Sequence, residues 1–190
     1  MANDLARLDE GAITSIVTGG GALTQGEVSQ ILTLCRMRGI NPLAKDCYIT
    51  KFDGSPATII VSKDYYMRTM AQHETFRGMR AGIVAVNHAS GELVYREGSL
   101  VGGTTETLVG GWAEIYDSRW TTPWRIEVSM SEYDGKRALW KTKPATMIRK
   151  VAIVQCAREA YPESYSGLYD GSEIPEAEEA IDAEIQEVTE

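Results

Sequence analysis

Apolar positions first fall into a clear rhythm near residue 28. Val28, Ile31, Leu32 and Cys35 recur at steps of three and four, the period of one helix face. Thr24-Gln25-Gly26-Glu27 stands before them with the Thr-x-x-Glu spacing of a capping box, in which each side chain reaches the other's unpaired backbone N–H. Gly39 supplies a stop, so the spacing predicts a helix over 25–38. The rhythm then changes. Residues 47–52 and 57–62 are β-branched and aromatic runs on either side of Asp53-Gly54-Ser55-Pro56, which reads as a hairpin. Ser62 is placed to cap a following helix with Tyr65, Tyr66, Thr69 and Met70 on its apolar side and Lys63 and Arg68 outward. Further strands are predicted over 81–86, 92–96, 108–116 and 124–130, forming an antiparallel sheet.

A last strong helix signal follows. Pro144 suits a first helical turn, residues 145–161 carry helical periodicity, and Pro162 closes the run. Ile148, Ala152, Cys156 and Ala160 make a stripe at four-residue spacing that anchors this helix to a core. At about 100° per residue, Lys143, Lys150 and Arg158 share an arc of roughly 80°, while Arg149 points about 100° away from Lys150. Beyond it, Ile174, Ala177, Ile181, Ile185 and Val188 keep helical spacing in an acidic background. Two readings stay open there: an amphipathic helix docked on something, or a disordered acidic tail. The first 23 residues, rich in Gly, Ala and Thr and ending in Gly19-Gly20-Gly21, read as a mobile arm or a short helix leading to a flexible joint. The expected organisation is an α+β fold: a flexible arm over 1–23, a core over 24–170, and an acidic tail over 171–190. In that core a small antiparallel, bent sheet with a hairpin packs against helices, and a long basic helix lies near the C-terminus.

Composition narrows the class. With 190 residues and 20.9 kDa the chain suits one domain. Apolar residues at 43% and charged residues at 24% exclude a wholly disordered or fibrous chain. No apolar run approaches the roughly 18 residues of a membrane span. The start, with Asp4 and no apolar stretch behind a basic one, is not expected to be a secretory signal. Three widely spaced cysteines, Cys35, Cys47 and Cys156, make no disulfide framework, which points to a reducing intracellular setting.

Charge is unevenly distributed. The net charge is −8, yet residues 163–190 hold 10 acids and no Lys or Arg, leaving the body up to residue 162 with 19 cations against 17 acids. From Lys136 to Arg158 there are seven cations (Lys136, Arg137, Lys141, Lys143, Arg149, Lys150, Arg158) and no acid. Such a stretch is either a phosphate-binding surface or a solvated face whose partners lie elsewhere in the fold.

Other chemistry is missing. His73 and His88 are isolated and read as surface residues, and no Cys-x-x-Cys occurs, so no zinc site is expected. No phosphate-binding Gly-rich fingerprint is present, which argues against an ATP motor. Glu114, Asp117, Glu127 and Glu132 show no spacing that sets them apart from the solvent side of strands, which argues against a metal-dependent nuclease.

Two segments carry a family likeness. One is Gly39-Ile40-Asn41-Pro42-Leu43-Ala44-Lys45-Asp46-Cys47-Tyr48-Ile49. The other is Trp140-Lys141-Thr142-Lys143-Pro144-Ala145-Thr146-Met147-Ile148-Arg149-Lys150, continuing through Gln155-Cys156-Ala157-Arg158 to Gly167-Leu168-Tyr169-Asp170. With the hairpin and the Val61-to-Asp64 helix start between them, the chain over residues 28–173 resembles the phage single-strand annealing proteins of the RecT and lambda beta (Bet) superfamily, closer to the Bet branch.

The resemblance implies an ATP-independent recombinase, not an enzyme, that coats single-stranded DNA, pairs it with a complement and assembles as rings or helical filaments. It implies a small α+β core with DNA in a basic groove beside the long helix, and a bacterial host cytoplasm as location. No cofactor is required, with Mg2+ entering only as a modulator of DNA binding. Implied partners are single-stranded DNA, the annealed duplex, further copies of the chain, a phage exonuclease and a host single-strand-binding protein, with no membrane. The matching basic positions are Lys45, Lys63, Arg119, Arg149 and Arg158, with Lys150 where a relative has another basic or histidine side chain. Where the lambda-like pattern carries further basic residues, this chain has Ala145, Thr146 and Val151, and Lys141 and Lys143 supply cations from before the proline. Relatives also carry a further C-terminal helical domain, in whose place only the acidic tail stands here.

Annealing needs affinity without base readout, which cations on phosphates supply through counterion release. Tyr65, Tyr66, Trp112, Trp120, Trp124 and Trp140 are available as stacking platforms or as core, the core reading being the stronger for most. The alternative function is a single-strand-binding protein that protects DNA without pairing it.

Overall fold

The computed structural model describes residues 8–134 and 138–171. The first residues of the expected arm, Lys136 and Arg137 of the acid-free run, and the acidic tail from Ser172 onward lie outside the described residues. The fold is α+β, and its contacts separate it into two compact units with a boundary between Tyr65 and Tyr66.

The first unit holds residues 8–65 and 167–171. Helix α1 (Glu10–Ser15) is capped by the Asp9 carboxylate, which accepts the Ala12 N–H at 2.8 Å. Helix α2 (Gln25–Arg38) starts at the capping box, with Thr24 and Glu27 satisfying each other's N–H groups, and ends at Gly39 in the left-handed region, φ 65°. Its buried face is Val28, Ile31, Leu32 and Cys35, the stripe that sequence spacing selects. Strands β1 (Val17–Thr18), β2 (Cys47–Thr50) and β3 (Thr58–Val61) form a sheet in that order, β2 and β3 being the expected hairpin.

The glycine run is not a joint. Strand β1 runs parallel to β2, with Val17 opposite Ile49 and Thr18 opposite Thr50. The pairing continues as the Lys51 N–H donates to Thr18 O at 2.8 Å and the Gly21 N–H to Lys51 O at 2.9 Å. A Cβ on Gly19 or Gly21 would stand 2.7 or 2.8 Å from the Lys51 carbonyl oxygen. These glycines are there for close backbone approach, and the added strand makes this sheet mixed where a purely antiparallel one was expected.

Helix α3 (Lys63–Met70) carries the chain from one unit to the other. Ser62 Oγ caps it, accepting the Tyr65 N–H at 3.3 Å. Tyr65 is buried in the first unit, its hydroxyl donating to Arg38 O at 2.7 Å, and Tyr66 is buried in the second, its ring centroid 4.9 Å from that of Tyr165.

The second unit is built on a four-stranded antiparallel sheet in the order β5 (Leu93–Glu97), β4 (Phe76–Asn87), β6 (Glu106–Asp117), β7 (Trp124–Ser129). Register shifts between Phe76 and Gly78 and between Val84 and Ala85 interrupt the β4–β6 ladder, the kind of bulge that bends a strand. Three short helices, α4 (Met130–Tyr133), α5 (Ala138–Thr142) and α7 (Pro162–Tyr165), flank the 17-residue helix α6 (Pro144–Ala160).

Helix α6 lies against β6 through small residues. A Cβ on Gly111 would meet Ile148 O at 2.6 Å, and the Cys156 thiol faces Ala113 O and Trp124 O at 3.7 and 3.5 Å. The predicted stripe Ile148, Ala152, Cys156 and Ala160 is buried, and so are Met147, Val151, Ile153, Val154 and Ala157. Ile83, Trp140, Met147, Ile148 and Val151 form one core cluster here. Among the described residues no helix is long and apolar enough to cross a membrane.

Candidate nucleic-acid interface

Each candidate cation is held by a different local device. In the first unit, the Asn-Pro turn presents Lys45. Asn41 Oδ1 accepts the Leu43 N–H at 3.1 Å, Pro42 opens a single 3-10 turn, and the chain leaves it with Lys45 in the left-handed region, φ 60°. The Asp46 carboxylate accepts the Asn41 N–H at 2.8 Å and locks the turn. Lys45 is exposed, its Nζ 5.5 Å from the Tyr48 ring centroid. Lys63, at the start of α3, lies 3.3 Å from the exposed Asp64 carboxylate, a surface pair of little energetic weight.

The second unit holds Arg119, Lys141, Lys143, Arg149, Lys150 and Arg158. Lys141 ends α5 and Lys143 stands at the N-cap of α6, both exposed, and among the described residues neither forms an ion pair. Lys150 and Arg158 are half-buried along α6. Arg149 faces the sheet, its Nε donating to Ala81 O of β4 at 3.2 Å. That contact agrees with the 100° offset from Lys150 and makes Arg149 a tie between helix and sheet.

Arg119 is also tied inward. Its Nε and terminal nitrogen donate to the two oxygens of Asp117 at 2.9 and 3.0 Å, and its guanidinium lies 5.1 and 5.3 Å from the Trp120 and Tyr161 ring centroids. Asp117 further accepts the Arg119 N–H, the Thr75 hydroxyl and the Tyr161 hydroxyl, at 2.9, 2.8 and 2.8 Å. Burial alone would raise the Asp117 pKa, but these hydrogen bonds outweigh it and hold the carboxyl well below the usual range. Burial and the same carboxylate push the Tyr161 phenol up.

Three strand arginines are similarly matched. Arg80 pairs with Glu97, Arg96 with Glu106, and Arg125 with both Glu114 and Glu127. The Arg125 guanidinium also lies 4.8 Å from the Trp112 ring centroid and 5.1 Å from that of Tyr95. The carboxylates weighed as metal ligands, Glu114, Asp117 and Glu127, are thus occupied by arginine. Charge in the unit is sorted: Arg80, Arg96 and Arg125 of the strands close on carboxylates, whereas α5 and α6 contain no acid before Glu159.

Most aromatics are core. Tyr65, Tyr66, Trp112 and Trp140 are no more than 4% exposed. Trp124 is 41% exposed, with its ring centroid 5.6 Å from that of the half-buried Trp120 and its indole N–H donating to Glu159 in the last turn of α6. These two rings stand at the Arg158 end of the helix. His88 is exposed, as its surface reading expects. His73 is not a free surface residue: it stacks on Tyr161 at 4.3 Å and shares a 3.1 Å hydrogen bond with Ser164. Its burial comes from residues about ninety positions away, which local spacing cannot reveal.

One cation escaped the sequence reading. Arg77, at the start of β4, is exposed and donates only to the Glu74 and Phe76 carbonyls, with no carboxylate partner among the described residues. Glu74, three residues before it, masks it in any local charge count. The Cys156 thiol is buried with a pKa pushed up to about 12 by desolvation, which makes it packing and not chemistry.

The chain is 26% identical over 168 residues to an uncharacterised protein of Ureaplasma parvum serovar 3, an alignment covering 81% of this chain and 66% of that protein. It therefore spans just under two thirds of the relative's length. The RecT family model matches residues 7–186, nearly the whole sequence, including the Asn-Pro turn, the sheet and α6. The chain belongs to the RecT family.

Proposed function

We propose that this protein binds single-stranded DNA through its phosphates and promotes pairing of complementary strands without ATP, acting as an annealing protein in recombination and not as an enzyme. The observation that carries the reading is the sorting of charge in the second unit. Arg80, Arg96, Arg119 and Arg125 are matched to carboxylates, so they stabilise the fold and have little charge left for a ligand. Lys141 and Lys143 open an acid-free stretch instead, and Lys150 and Arg158 continue it along α6. Lysine is a point charge with freely rotating donors, suited to holding phosphates in many registers without reading bases.

Helix α6 spans about 24 Å from Pro144 to Ala160 at about 1.5 Å per residue, enough for a cationic track several phosphates long. The exposed Trp124 edge at its far end offers a face on which a base stacks. Bases left unread by the protein remain available to a complement. Single-stranded DNA, the annealed duplex and further copies of this chain are the proposed partners. A phage exonuclease and a host single-strand-binding protein complete that set, with the bacterial cytoplasm as the setting. Mg2+ modulates DNA binding by competing for or bridging phosphates.

The test mixes complementary labelled oligonucleotides with the protein in the absence of ATP. Faster annealing than the spontaneous rate supports the proposal. Binding with slowed annealing identifies a protective single-strand-binding protein, cleavage identifies a nuclease, and no binding in dilute buffer refutes both DNA readings.

A further inference from the structure

Strand β4 opens with an irregularity. Phe76 stands opposite Asp117 and Gly78 opposite Tyr116, so two steps on β4 match one on β6, and Arg77 is the extra, unpaired residue of a β-bulge. Gly78 holds the bulge in shape. Its φ is +133°, a conformation that L side chains rarely adopt, and a Cβ built on it would meet nothing within 4 Å. The glycine is therefore required for its backbone angle and not for space. A bulge re-aims the side chain it carries, and here that side chain is an exposed arginine.

Backbone carbonyls hold the guanidinium. Arg77 Nη1 donates to Glu74 O at 2.7 Å and to Phe76 O at 2.9 Å, which uses both hydrogens of that nitrogen. The remaining N–H donors sit on Nε and Nη2, and among the described residues nothing accepts from them. Together Nε and Nη2 form the side-on edge whose two parallel N–H groups match two oxygens of one phosphate or carboxylate. Arg119 shows that edge in use, with Nε and Nη2 on the two oxygens of Asp117 at 2.9 and 3.0 Å. In Arg77 the same edge is aimed and anchored without a carboxylate. The acids close by serve other groups: Asp117 accepts from Arg119, Thr75 and Tyr161, Glu159 accepts the Trp124 indole N–H, and Glu163 lies 4.0 Å from Arg119.

The bulge also lies where α6 finishes. The Ser118 N–H donates to Thr75 O at 2.8 Å, Phe76 pairs with Asp117, and Asp117 accepts the hydroxyl of Tyr161, the residue that follows α6. Arg158 and the Trp120 and Trp124 rings stand at this same end of the unit. We infer that Arg77 is a phosphate-binding residue of the nucleic-acid interface, its Nε–Nη2 edge taking two oxygens of one phosphodiester, with Gly78 as its positioning residue. The inference rests on the DNA-binding reading above and adds a contact from the sheet to those of α5 and α6. A phosphodiester fits better than a carboxylate because a cation and an exposed indole edge at the same end suit a polyanion that carries bases. Anchoring by two carbonyls means that little rotamer freedom remains to be lost on binding.

The test uses the full chain and a labelled single-stranded oligonucleotide, followed by fluorescence anisotropy across a salt titration. Arg77→Ala and Arg77→Gln should each weaken binding about fivefold at about 0.1 M salt and make the slope of log affinity against log salt shallower by about 0.7, the release from one phosphate. Gly78→Ala keeps the charge but moves its anchors, and should produce the same two changes. A photoreactive phenylalanine analogue at position 77 should cross-link to the oligonucleotide. Parental affinity and slope in both Arg77 variants, or cross-links confined to protein, a second copy included, overturn the inference while leaving the DNA-binding reading intact. Parental binding in Gly78→Ala removes the positioning role. If the parent itself ignores the oligonucleotide in dilute buffer, the DNA-binding reading fails and this inference fails with it.

Discussion

Removing two lysines that have no carboxylate partner among the described residues should change DNA binding in a way that removing a paired arginine does not. The perturbation is Lys141→Ala/Lys143→Ala, at two exposed positions flanking the start of α6. For single strands, each neutralised phosphate contributes about 0.7 to the slope of log affinity against log salt. If each lysine holds one phosphate, the slope becomes shallower by about 1.4. At about 0.1 M salt that same release amounts to about 0.7 log units per contact, a fivefold loss each and about 25-fold for the pair. The control is Arg80→Ala. Arg80 and its partner Glu97 are 54% and 58% exposed, so the pair contributes no more than about 1 kcal/mol to stability, and losing it should leave the salt slope unchanged. Fluorescence anisotropy of two unrelated labelled oligonucleotides across a salt titration reads both quantities. An unaltered slope in the lysine variant, an equal effect in the arginine control, or a loss confined to one oligonucleotide sequence refutes the charge-sorting argument.

Four further outcomes are expected. Gly111→Ala places a Cβ 2.6 Å from the Ile148 carbonyl and should lower stability by about 1–3 kcal/mol as α6 is pushed from the sheet, measured by denaturant unfolding; an unchanged midpoint removes the close-approach argument. Asp117→Ala strands the hydroxyls of Thr75 and the buried Tyr161 together with Arg119, at a cost of about 3 kcal/mol, and a midpoint as high as the parent's would show that the hub contributes nothing. Glu27 has its pKa drawn from 4.5 to about 2 by Lys51 first and then by the N–H groups of Thr24 and Ala57. A lowered folded-state pKa contributes stability that is fully present above about 4.5 and disappears as pH falls toward about 2, so Glu27→Gln should flatten that acid limb, and an acid limb identical to the parent's contradicts it. Replacing the seven acids from Glu176 to Glu190 by their amides should raise DNA affinity at low salt, because those carboxylates repel or compete with phosphate; equal or weaker binding counts against that.

Local signals were enough for much of the fold. The capping box, the Val28-to-Cys35 stripe and Gly39 bracket α2 at the same residues in sequence and structure, because a helix satisfies its hydrogen bonds within a few positions. Helix α6 was legible for the same reason, and the four middle strands from their β-branched and aromatic runs between turn residues, displaced by a few residues at their ends. Strand ends depend on partners that sequence does not name. The 47–52 and 57–62 runs shortened to Cys47–Thr50 and Thr58–Val61, while Lys51 instead pairs with residues 18 and 21.

The candidate site divides along the same line. That cations gather before residue 158 and acids after 163 is a property of composition along the chain, and family membership rests on motifs contiguous in it. Which cations remain available is a tertiary matter. Arg119 and Lys141 carry the same charge, but folding brings Thr75 and Tyr161 to Asp117 and commits Arg119 to that cluster. Arg149 is turned to the Ala81 carbonyl, 68 residues away. Charge is written in the residue, whereas its neutralisation is decided by whichever carboxylate the fold delivers within hydrogen-bond reach, and only the assembled sheet and helix set those distances.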